Sequence, residues 1–209
     1  GDLVENLTSV VAFEAIYENG DPAEGELLIK DEKGNIITQT RTLYEGKGFF
    51  TIKPDSYSKY HGMMDDKIFN LPYVKREGYN IKVNNKNKDF VSVTLQTNIR
   101  DGLMGTFLIG HIRGQVFLTK DGFTDTTLTL KIEKKSLPAG VSQFTLFSKD
   151  GLPLCERAVF IENASEKPHI DIASQYAFHR LRSKADISIS VNELVTKKGL
   201  KGDFSISVF

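Results

Sequence analysis

The sequence is short of the residue types that most often carry chemistry. It has one cysteine, so no internal disulfide can form, and it has no tryptophan. Its four histidines show none of the spacings typical of a zinc site; they are His61, His111, His169 and His179. No apolar run approaches the ~20 residues that a membrane-spanning helix needs. We therefore expect no disulfide scaffold, no metal site and no membrane insertion of this chain.

The chain also lacks net charge. Its 27 basic and 27 acidic residues cancel, so no overall field attracts it to nucleic acid or to an anionic membrane. We therefore expect no nucleic-acid partner, and any partner must be met through a local surface. With 209 residues, the chain is long enough for one large domain or two ordinary domains, each with its own core.

Strand patterns are abundant. Apolar and polar residues alternate in "VSVTL" (91–95), "TLTLKIE" (127–133), "ADISISV" (185–191) and "FSISV" (204–208), as strands with one buried face require. Helical spacing is almost absent. Residues 174–183 are the one candidate for a helical turn, and their sequence favours a helix and an irregular segment equally. The pattern predicts an all-β protein.

Turn signals separate the strands. Asn19-Gly20, Lys33-Gly34, Asp121-Gly122 and Asp150-Gly151 supply residues that accept the positive φ of tight hairpins. Consecutive strands should therefore be mostly antiparallel, and short strands with turns every roughly 8–12 residues are typical of β-sandwiches. The longest stretch without the pattern, residues 55–78, is interpreted as a long connection that crosses between two sheets.

Two changes in composition suggest domain boundaries. The stretch "TLQTNIRDGLMG" interrupts the alternation and places a junction near Asn98, and the polar stretch "ENASEKPH" precedes the last group of strands. We predict a sandwich over residues 1–97 and a second sandwich over residues 98–163. Residues 164–209 are either further strands of the second unit or the start of a third sandwich.

The last group of strands raises a question of burial. Residues 185–191 and 203–209 both alternate, and the glycines between them suit a hairpin loop. An isolated hairpin would leave its apolar face in water. We therefore predict that this hairpin joins the sheets of the second unit, with exchange between two copies of the chain as the alternative.

Several stretches, in order along the chain, resemble one family. The N-terminal matches are "GDLV", "VAFEA", the Asn19-Gly20 turn and "GKGF" before Pro54. The later matches are "LPAGVSQFTLFSKDGLPLCERAVFI", "LRSKADISISV" and "GDFSISV". Together they resemble the macroglobulin-type β-sandwiches of large Bacteroidetes surface proteins related to TonB-dependent receptors.

The resemblance implies tandem immunoglobulin-like, macroglobulin-like antiparallel β-sandwiches. It also implies export to the periplasm or the outer-membrane surface, with the export signal missing from this chain. Two family features are absent from the sequence: the thioester signature of true macroglobulins, and any plug or barrel sequence of a transporter. Covalent protease trapping and transport are therefore not implied.

The single cysteine, Cys155, has a reactive and a structural interpretation. A reactive thiol needs a neighbouring base, a helix N-terminus or a metal. A regular pleat places Cys155 on one face with Arg157, Val159 and Ile161, and the guanidinium of Arg157 could favour a thiolate. A strand cysteine beside aliphatic side chains is more often a small buried hydrophobe, which is our prediction.

Other catalytic constellations are also missing. No Ser-His-Asp order, pair of catalytic carboxylates or phosphate-binding loop can be assembled from the sequence. Asp65-Asp66, beside Met63-Met64, supplies too few oxygen ligands for a calcium loop. We therefore predict neither an enzymatic activity nor a cofactor.

Two groups of residues are candidates for an interaction surface. The aromatic residues Tyr57, Tyr60, Phe69 and Tyr73 lie close together in the sequence, and exposed rings are used by sugar-binding and protein-binding surfaces. The same rings could instead cap the open end of a sandwich, which we favour.

The second group is basic. Arg180, Arg182 and Lys184, next to His179, could bind a phosphate or an acidic partner, although such charges are usually a solvated face.

The predicted function follows from these features. We expect a non-catalytic extracytoplasmic module that serves as a spacer and a protein-interaction surface within a larger cell-envelope protein. The alternative is a glycan-binding or adhesive module that uses the aromatic residues 57–73. The absence of tryptophan argues against sugar binding, because indole rings are the commonest stacking platforms for sugars.

Overall fold

The computed structural model describes residues 2–56, 58–163, 168–176, 178, 180–194, 196–203 and 205–207. Within these residues every regular element is a β-strand, apart from one turn of 3-10 helix at Lys134–Ser136. The same residues contain no helix that is long and apolar enough to cross a membrane. Several antiparallel sheets build the chain, which confirms the predicted all-β fold class.

The N-terminal unit contains the first eight strands. They are β1 Leu3–Val4, β2 Ser9–Glu14, β3 Glu26–Asp31, β4 Ile36–Arg41, β5 Lys47–Ile52, β6 Tyr60–Met64, β7 Lys67–Asn70 and β8 Val74–Lys75. One antiparallel sheet has the order β4-β3-β6-β7, and β2 pairs with β5. The two ends of the unit meet because β1 and β8 pair in parallel. Its buried core comprises Leu3, Leu27, Ile29, Phe50, Ile52 and Tyr60.

The central unit contains the next seven strands. They are β9 Tyr79–Asn84, β10 Phe90–Thr97, β11 Thr106–Ile112, β12 Gln115–Lys120, β13 Thr127–Glu133, β14 Gly140–Ser148 and β15 Pro153–Ile161. They form a sheet of order β13-β10-β9 and a sheet of order β12-β11-β14-β15. The largest buried cluster of this unit comprises Ile81, Val93, Leu95, Leu103, Leu108, Phe123, Phe144 and Leu146.

The alternation of the central strands is confirmed. In β10 the buried positions include Val91, Val93 and Leu95, and the residues between them are less buried. On the opposite face of the same strands, the hydroxyl oxygens of Thr94 and Thr129 lie 2.9 Å apart in a cross-strand hydrogen bond. The period of two therefore predicts both the strand and its buried face.

The predicted junction near Asn98 does not separate the sheets. Strand β10, on one side of Asn98, pairs along its length with β13, on the other side. A boundary between residues 97 and 98 would therefore cut one sheet in two and divide its core. No strand up to β8 shares a sheet with a strand from β9 onward. The sheet pairing thus disagrees with a boundary near Asn98, and the division of the chain into domains stays a prediction.

Asn98 does lie at the contact between the two units. Its side-chain amide donates to the carbonyl oxygens of Glu5 at 2.9 Å and Arg76 at 2.6 Å, and its side-chain oxygen accepts from Gly78 N–H at 3.0 Å. The composition change thus coincides with the end of β10, and the residue that follows the strand, Asn98, forms hydrogen bonds to Glu5 and Arg76.

The predicted turns have two different roles. Gly34, with φ +85°, lies in the β3–β4 hairpin, and Gly151, with φ +80°, lies in the β14–β15 hairpin. Gly122 also has a positive φ, but it connects strands of different sheets, since β12 pairs with β11 and β13 pairs with β10. A turn signal therefore marks a change of direction without identifying the next partner strand.

The predicted long connection over residues 55–78 is wrong. This stretch contains β6, β7 and β8, and β6 and β7 form a tight antiparallel hairpin. The turn between them is sharp, with Asp65 at φ +49°. All four residues of β7 are exposed, so this strand has no buried face and no alternation that could reveal it.

The C-terminal ribbon consists of β16 Pro168–Ser174 and β17 Ile187–Glu193. The predicted hairpin partner is wrong, because β17 pairs with β16 and with none of the described residues among 203–209. Residues 205–207 form no strand, and residues 204, 208 and 209 lie outside the described part.

The ribbon belongs to no larger sheet. Among the described strands, β16 and β17 pair only with each other, so they do not extend a sheet of the central unit; Asn192 of β17 also forms an isolated bridge with Gly199. The described residues of the candidate helical stretch 174–183 form no helix; Ala177 and His179 lie outside the described residues.

Candidate functional site

The predicted aromatic residues do not form one surface. Tyr57 lies outside the described residues. Tyr60 is only 4% exposed and belongs to the N-terminal core, where its hydroxyl accepts the backbone N–H of Asp55 at 2.9 Å. Phe69 is 43% exposed and Tyr73 is 83% exposed. Tyr60 therefore packs as a core ring, and Phe69 and Tyr73 remain as exposed candidates.

Phe69 lies across a glycine of the neighbouring strand. In the β6–β7 hairpin Phe69 is the register partner of Gly62. A Cβ atom placed on Gly62 would lie 2.2 Å from the Phe69 ring. The glycine therefore leaves the space that the aromatic ring occupies.

A second phenylalanine is arranged in the same way. Phe13 on β2 is the register partner of Gly48 on β5, and a Cβ on Gly48 would lie 2.5 Å from the Phe13 ring. The Phe13 ring also packs against Phe50, with 6.5 Å between the ring centroids. Phe13 thus belongs partly to the core.

A groove of about 890 Å³ lies between these two rings; we call it the β2–β7 groove. Three segments line it: the end of β2 with the loop that follows, the β6–β7 turn, and β7. The lining residues are Phe13, Glu14, Ala15, Ile16, Tyr17, Glu18, Asn19, Ala23, Met64, Asp65, Asp66, Lys67 and Phe69. Its volume is within the range of sites that bind small molecules or peptide side chains.

Hydrogen bonds hold the loop that forms one wall of the groove. Tyr17 N–H donates to the carbonyl oxygen of Asp21 at 2.8 Å, and Gly20 N–H donates to the carbonyl oxygen of Tyr17 at 2.9 Å. The side-chain amide of Asn19 also donates to the Asp21 carboxylate at 2.6 Å. The predicted Asn19-Gly20 turn thus presents the exposed side chains of Ile16 and Tyr17.

The charge around the β2–β7 groove is mostly negative. Glu14 is paired with Lys47 at 3.5 Å. Three further carboxylates line the groove, those of Glu18, Asp65 and Asp66, and Lys67 is the cation among the lining residues. The groove therefore combines aromatic and aliphatic side chains with a surplus of acidic groups.

These acidic groups form no metal centre. The described residues contain no group of three or more His, Cys, Asp or Glu side chains placed to hold a metal ion. Asp65 and Asp66 lie in and next to the tight β6–β7 turn, where their carboxylates are exposed.

Cys155 lies at the contact between the two units. It pairs with Leu146 on β14 and packs, partly buried, against the core of the central unit. Burial raises the pKa of the Cys155 thiol from 9.0 to about 12, and the negative charge of Asp2 adds to this shift. The thiol is therefore protonated at neutral pH, as expected of a small hydrophobe and not of a nucleophile.

Arg157, which could have activated this thiol, has a structural partner. Its guanidinium donates to the carbonyl oxygen of Val10 at 2.9 Å and so links β15 to β2. Asn80 on β9 makes a second link, donating to the Ser9 hydroxyl at 2.7 Å. Cys155, Arg157 and Asn80 line a small pocket of about 280 Å³ between the units.

The basic group lies on an exposed segment. Arg180, Arg182 and Lys184 are all exposed, and Lys184 forms an ion pair with Asp186 at 2.9 Å. A turn contains Arg182, which has φ +62°. These three residues do not form a binding pocket for an anion, and His179 lies outside the described residues.

Part of the groove was not identifiable from the sequence. Phe69 was predicted, but Phe13, Ile16 and Tyr17 were missed because they are distant from it in sequence. One local signal existed: the stretch "AFEAIYENG" places apolar side chains directly before a turn, where a strand's buried face should end.

Comparisons with known proteins add little to this description. No family model matches the chain, and no curated protein matches it. Among solved structures, the chain is similar to one titled "Biofilm associated protein - BSP domain", with a TM-score of 0.34 and 15% sequence identity. The similarity covers 79% of this chain and 29% of that chain, so this chain spans less than a third of that structure's length. A structural similarity this low supports no conclusion about the function of this chain.

Proposed function

We propose that this chain is a non-catalytic, extracytoplasmic β-sandwich module that binds a protein partner through the β2–β7 groove. The observation that supports this proposal is the groove itself, where Phe13, Tyr17 and Phe69 lie among acidic side chains at the side of a sandwich. Aromatic side chains in a concave apolar site are the usual anchors of protein interfaces.

The proposal includes a place in the cell and a role there. The macroglobulin-type resemblance supports export to the periplasm or the outer-membrane surface, with the module acting as a spacer and interaction surface within a larger envelope protein. The non-catalytic part is supported by the protonated thiol of Cys155, since a nucleophile at this position would need a lowered pKa.

Glycan binding is the second candidate function. The observation that favours it is Tyr73, whose ring is 83% exposed and is not among the residues lining the β2–β7 groove. An exposed tyrosine ring offers a face on which a sugar can stack. The two candidates therefore depend on different residues.

An experiment on paired arrays distinguishes the two functions. The wild-type chain and the variants Phe69→Ala and Tyr73→Ala would be applied to a peptide array and to a glycan array. The proposal predicts peptide binding that Phe69→Ala removes and Tyr73→Ala retains. Glycan binding that Tyr73→Ala removes would support the second candidate, and no binding on either array would contradict both.

A further inference from the structure

We infer that the β2–β7 groove takes an extended peptide strand of a partner protein, with alternating aliphatic side chains and Lys or Arg at its ends. The inference rests on the proposed function and states how the partner is bound. The peptide would lie along the free edge of β7 and add a strand to that sheet.

The first argument is the position of the groove between two edge strands. Within the described residues, β2 pairs only with β5 and β7 pairs only with β6. The outer edge of β7 therefore has backbone N–H and C=O groups without a strand partner, whereas the outer edge of β2 is partly occupied, because the Arg157 guanidinium donates to the carbonyl oxygen of Val10. A free edge is a template for another extended chain, and both strands contribute side chains to the groove.

The second argument is a comparison with other sheet edges. On the opposite side of the N-terminal unit, the Thr40 hydroxyl of β4 donates to the carbonyl oxygen of Phe49 of β5 at 3.0 Å. In the central unit, the Asn85 amide, next to β9, donates to the carbonyl oxygen of Phe160 of β15 at 2.5 Å. These hydrogen bonds bridge the two sheets, whereas the β2 and β7 edges are separated by a groove.

The third argument is the chemistry of the lining. An added strand would direct every second side chain into the groove, where Phe13 and Phe69 favour aliphatic groups. Strand β7 has four residues, so at about 3.3 Å per residue it can pair over about 13 Å. The occupant is therefore a short strand with only a few anchoring side chains.

The fourth argument is charge. Glu18, Asp65 and Asp66 line the groove, and within the described residues none of them has an ion-pair partner within 4.0 Å. A neighbouring cation of the partner would be attracted to these carboxylates, although exposed pairs contribute specificity more than affinity. This charge complementarity favours a peptide with basic ends over an acidic or uncharged one.

The test uses three labelled peptides and the full chain. The first peptide alternates Thr and Val between terminal lysines; the second has Pro in place of the central Val; the third has Glu in place of both lysines. Binding would be measured by fluorescence anisotropy, and hydrogen exchange would be followed at residues 9–14 and 67–70. Proline lacks the N–H that a strand edge requires.

Matched variants of the chain test the site. Phe69→Ala removes a ring from the groove, whereas Ile68→Ala removes a more exposed neighbour that does not line it. The double variant Asp65→Asn with Asp66→Asn removes charge and keeps residues that tolerate the turn. Melting curves would show that each variant is folded.

The expected result is binding of the Lys-ended peptide, with slower exchange at the amides of β7. The Pro peptide, the Glu-ended peptide and the Phe69→Ala variant should each bind about tenfold more weakly. Ile68→Ala should bind as the wild type does, and the Asp65/Asp66 double variant should lose the preference for lysine ends.

Four results would overturn the inference. Equal binding of the Pro peptide would show a groove ligand that is not a strand, and would leave the proposed function intact. No binding of any peptide, or binding that Phe69→Ala does not change, would also reject it, and the array result would decide the proposed function separately. Self-association of the chain that Phe69→Ala abolishes would assign the groove to a second copy.

Discussion

At the residue scale, the chemistry of Cys155 is determined by its neighbours on the sheet. Its thiol faces Leu146 and the core of the central unit, and burial raises its pKa to about 12. We therefore predict that a thiol reagent labels the native protein much more slowly than the unfolded protein at neutral pH. Equal labelling rates in the two states would contradict the burial.

The raised pKa also predicts how stability depends on pH. Between pH 9.0 and about pH 12 the unfolded chain releases the thiol proton, whereas the folded chain keeps it. This group's contribution to stability is therefore present below pH 9.0 and is lost as the pH rises through that window.

The matched comparison is the Cys155→Ala variant. We expect the substitution to lower the free energy of unfolding by about 1 kcal/mol at neutral pH, because a partly buried sulfur is lost. The difference between wild type and variant should shrink at about pH 10, because only the wild type has a thiol to ionise. Denaturant unfolding at both pH values measures it, and a difference that grows with pH would contradict the predicted sign.

Gly46 shows how a single residue supports the wall of the groove. It has φ +73°, and a Cβ on it would lie 2.2 Å from the carbonyl oxygen of Ala15. Gly20 is the matched control, since it also has a positive φ but no atom within 4 Å of the added Cβ. We predict that Gly46→Ala destabilises the chain by about 2 kcal/mol more than Gly20→Ala does. Equal losses in thermal unfolding would show that the close contact is relieved by backbone movement.

At the element scale, the sequence predicts strands with one buried face and misses those without one. The alternation of β10 and β13 was predicted correctly because a hydrophobic core covers one side of each strand. Strand β7 was missed because all of its residues are exposed, and its pairing depends on Gly62 accommodating the ring of Phe69. The period of two also does not say which strand is the partner, so β17 was paired with the wrong segment.

The candidate site was predictable only in part, for the same reason. Phe69 was identified from local aromatic content, whereas Phe13 and Tyr17 reach the groove only because β2 and β7 lie at the same side of the N-terminal unit. That proximity depends on the order of strands in two sheets, which a single sequence does not contain. Tyr60, identified by the same aromatic content, lies in the core.

The position of the boundary between the first two units can be tested with fragments. Residues 76–163 contain both sheets of the central unit, whereas residues 98–163 lack β9 and β10. The shorter fragment loses Val93 and Leu95 from the core, at about 1.5–3 kcal/mol for each side chain, and β13 loses its sheet partner.

We therefore predict a cooperative thermal transition for fragment 76–163 and none for fragment 98–163. Circular dichroism melts of the two fragments and of the full chain provide the measurement. If fragment 98–163 unfolds cooperatively at the temperature of the longer fragment, the result would support a boundary near Asn98.

At the scale of the whole molecule, the three parts of the chain differ in what holds them. The N-terminal and central units each have buried cores and are linked by hydrogen bonds such as Arg157 to Val10. The C-terminal ribbon is different, because Ile172 and its register partner Ile189 are 70% and 41% exposed. Its stability cannot come from a core of its own.

The ribbon has one apolar and one polar face, as the register of β16 and β17 shows. Ile170, Ile172, Ile187 and Ile189 share one face, and each of them is exposed. We therefore predict that the ribbon binds an apolar fluorescent dye and that removing residues 164–209 lowers this binding. The remaining residues 1–163 should melt at an unchanged temperature, since no described strand outside the ribbon pairs with it.

Substitutions on the two faces of the ribbon complete this prediction. Ile170→Ser together with Ile172→Ser should reduce dye binding, because an exposed apolar patch binds the dye in proportion to its area. The control is Ser188→Ala with Ser190→Ala on the polar face, which should leave binding unchanged or slightly higher. A lower melting temperature for residues 1–163 would instead show that the ribbon packs against the central unit, as the sequence analysis predicted from its apolar face. The apolar face would then be covered in the full chain, and the dye would not bind to it.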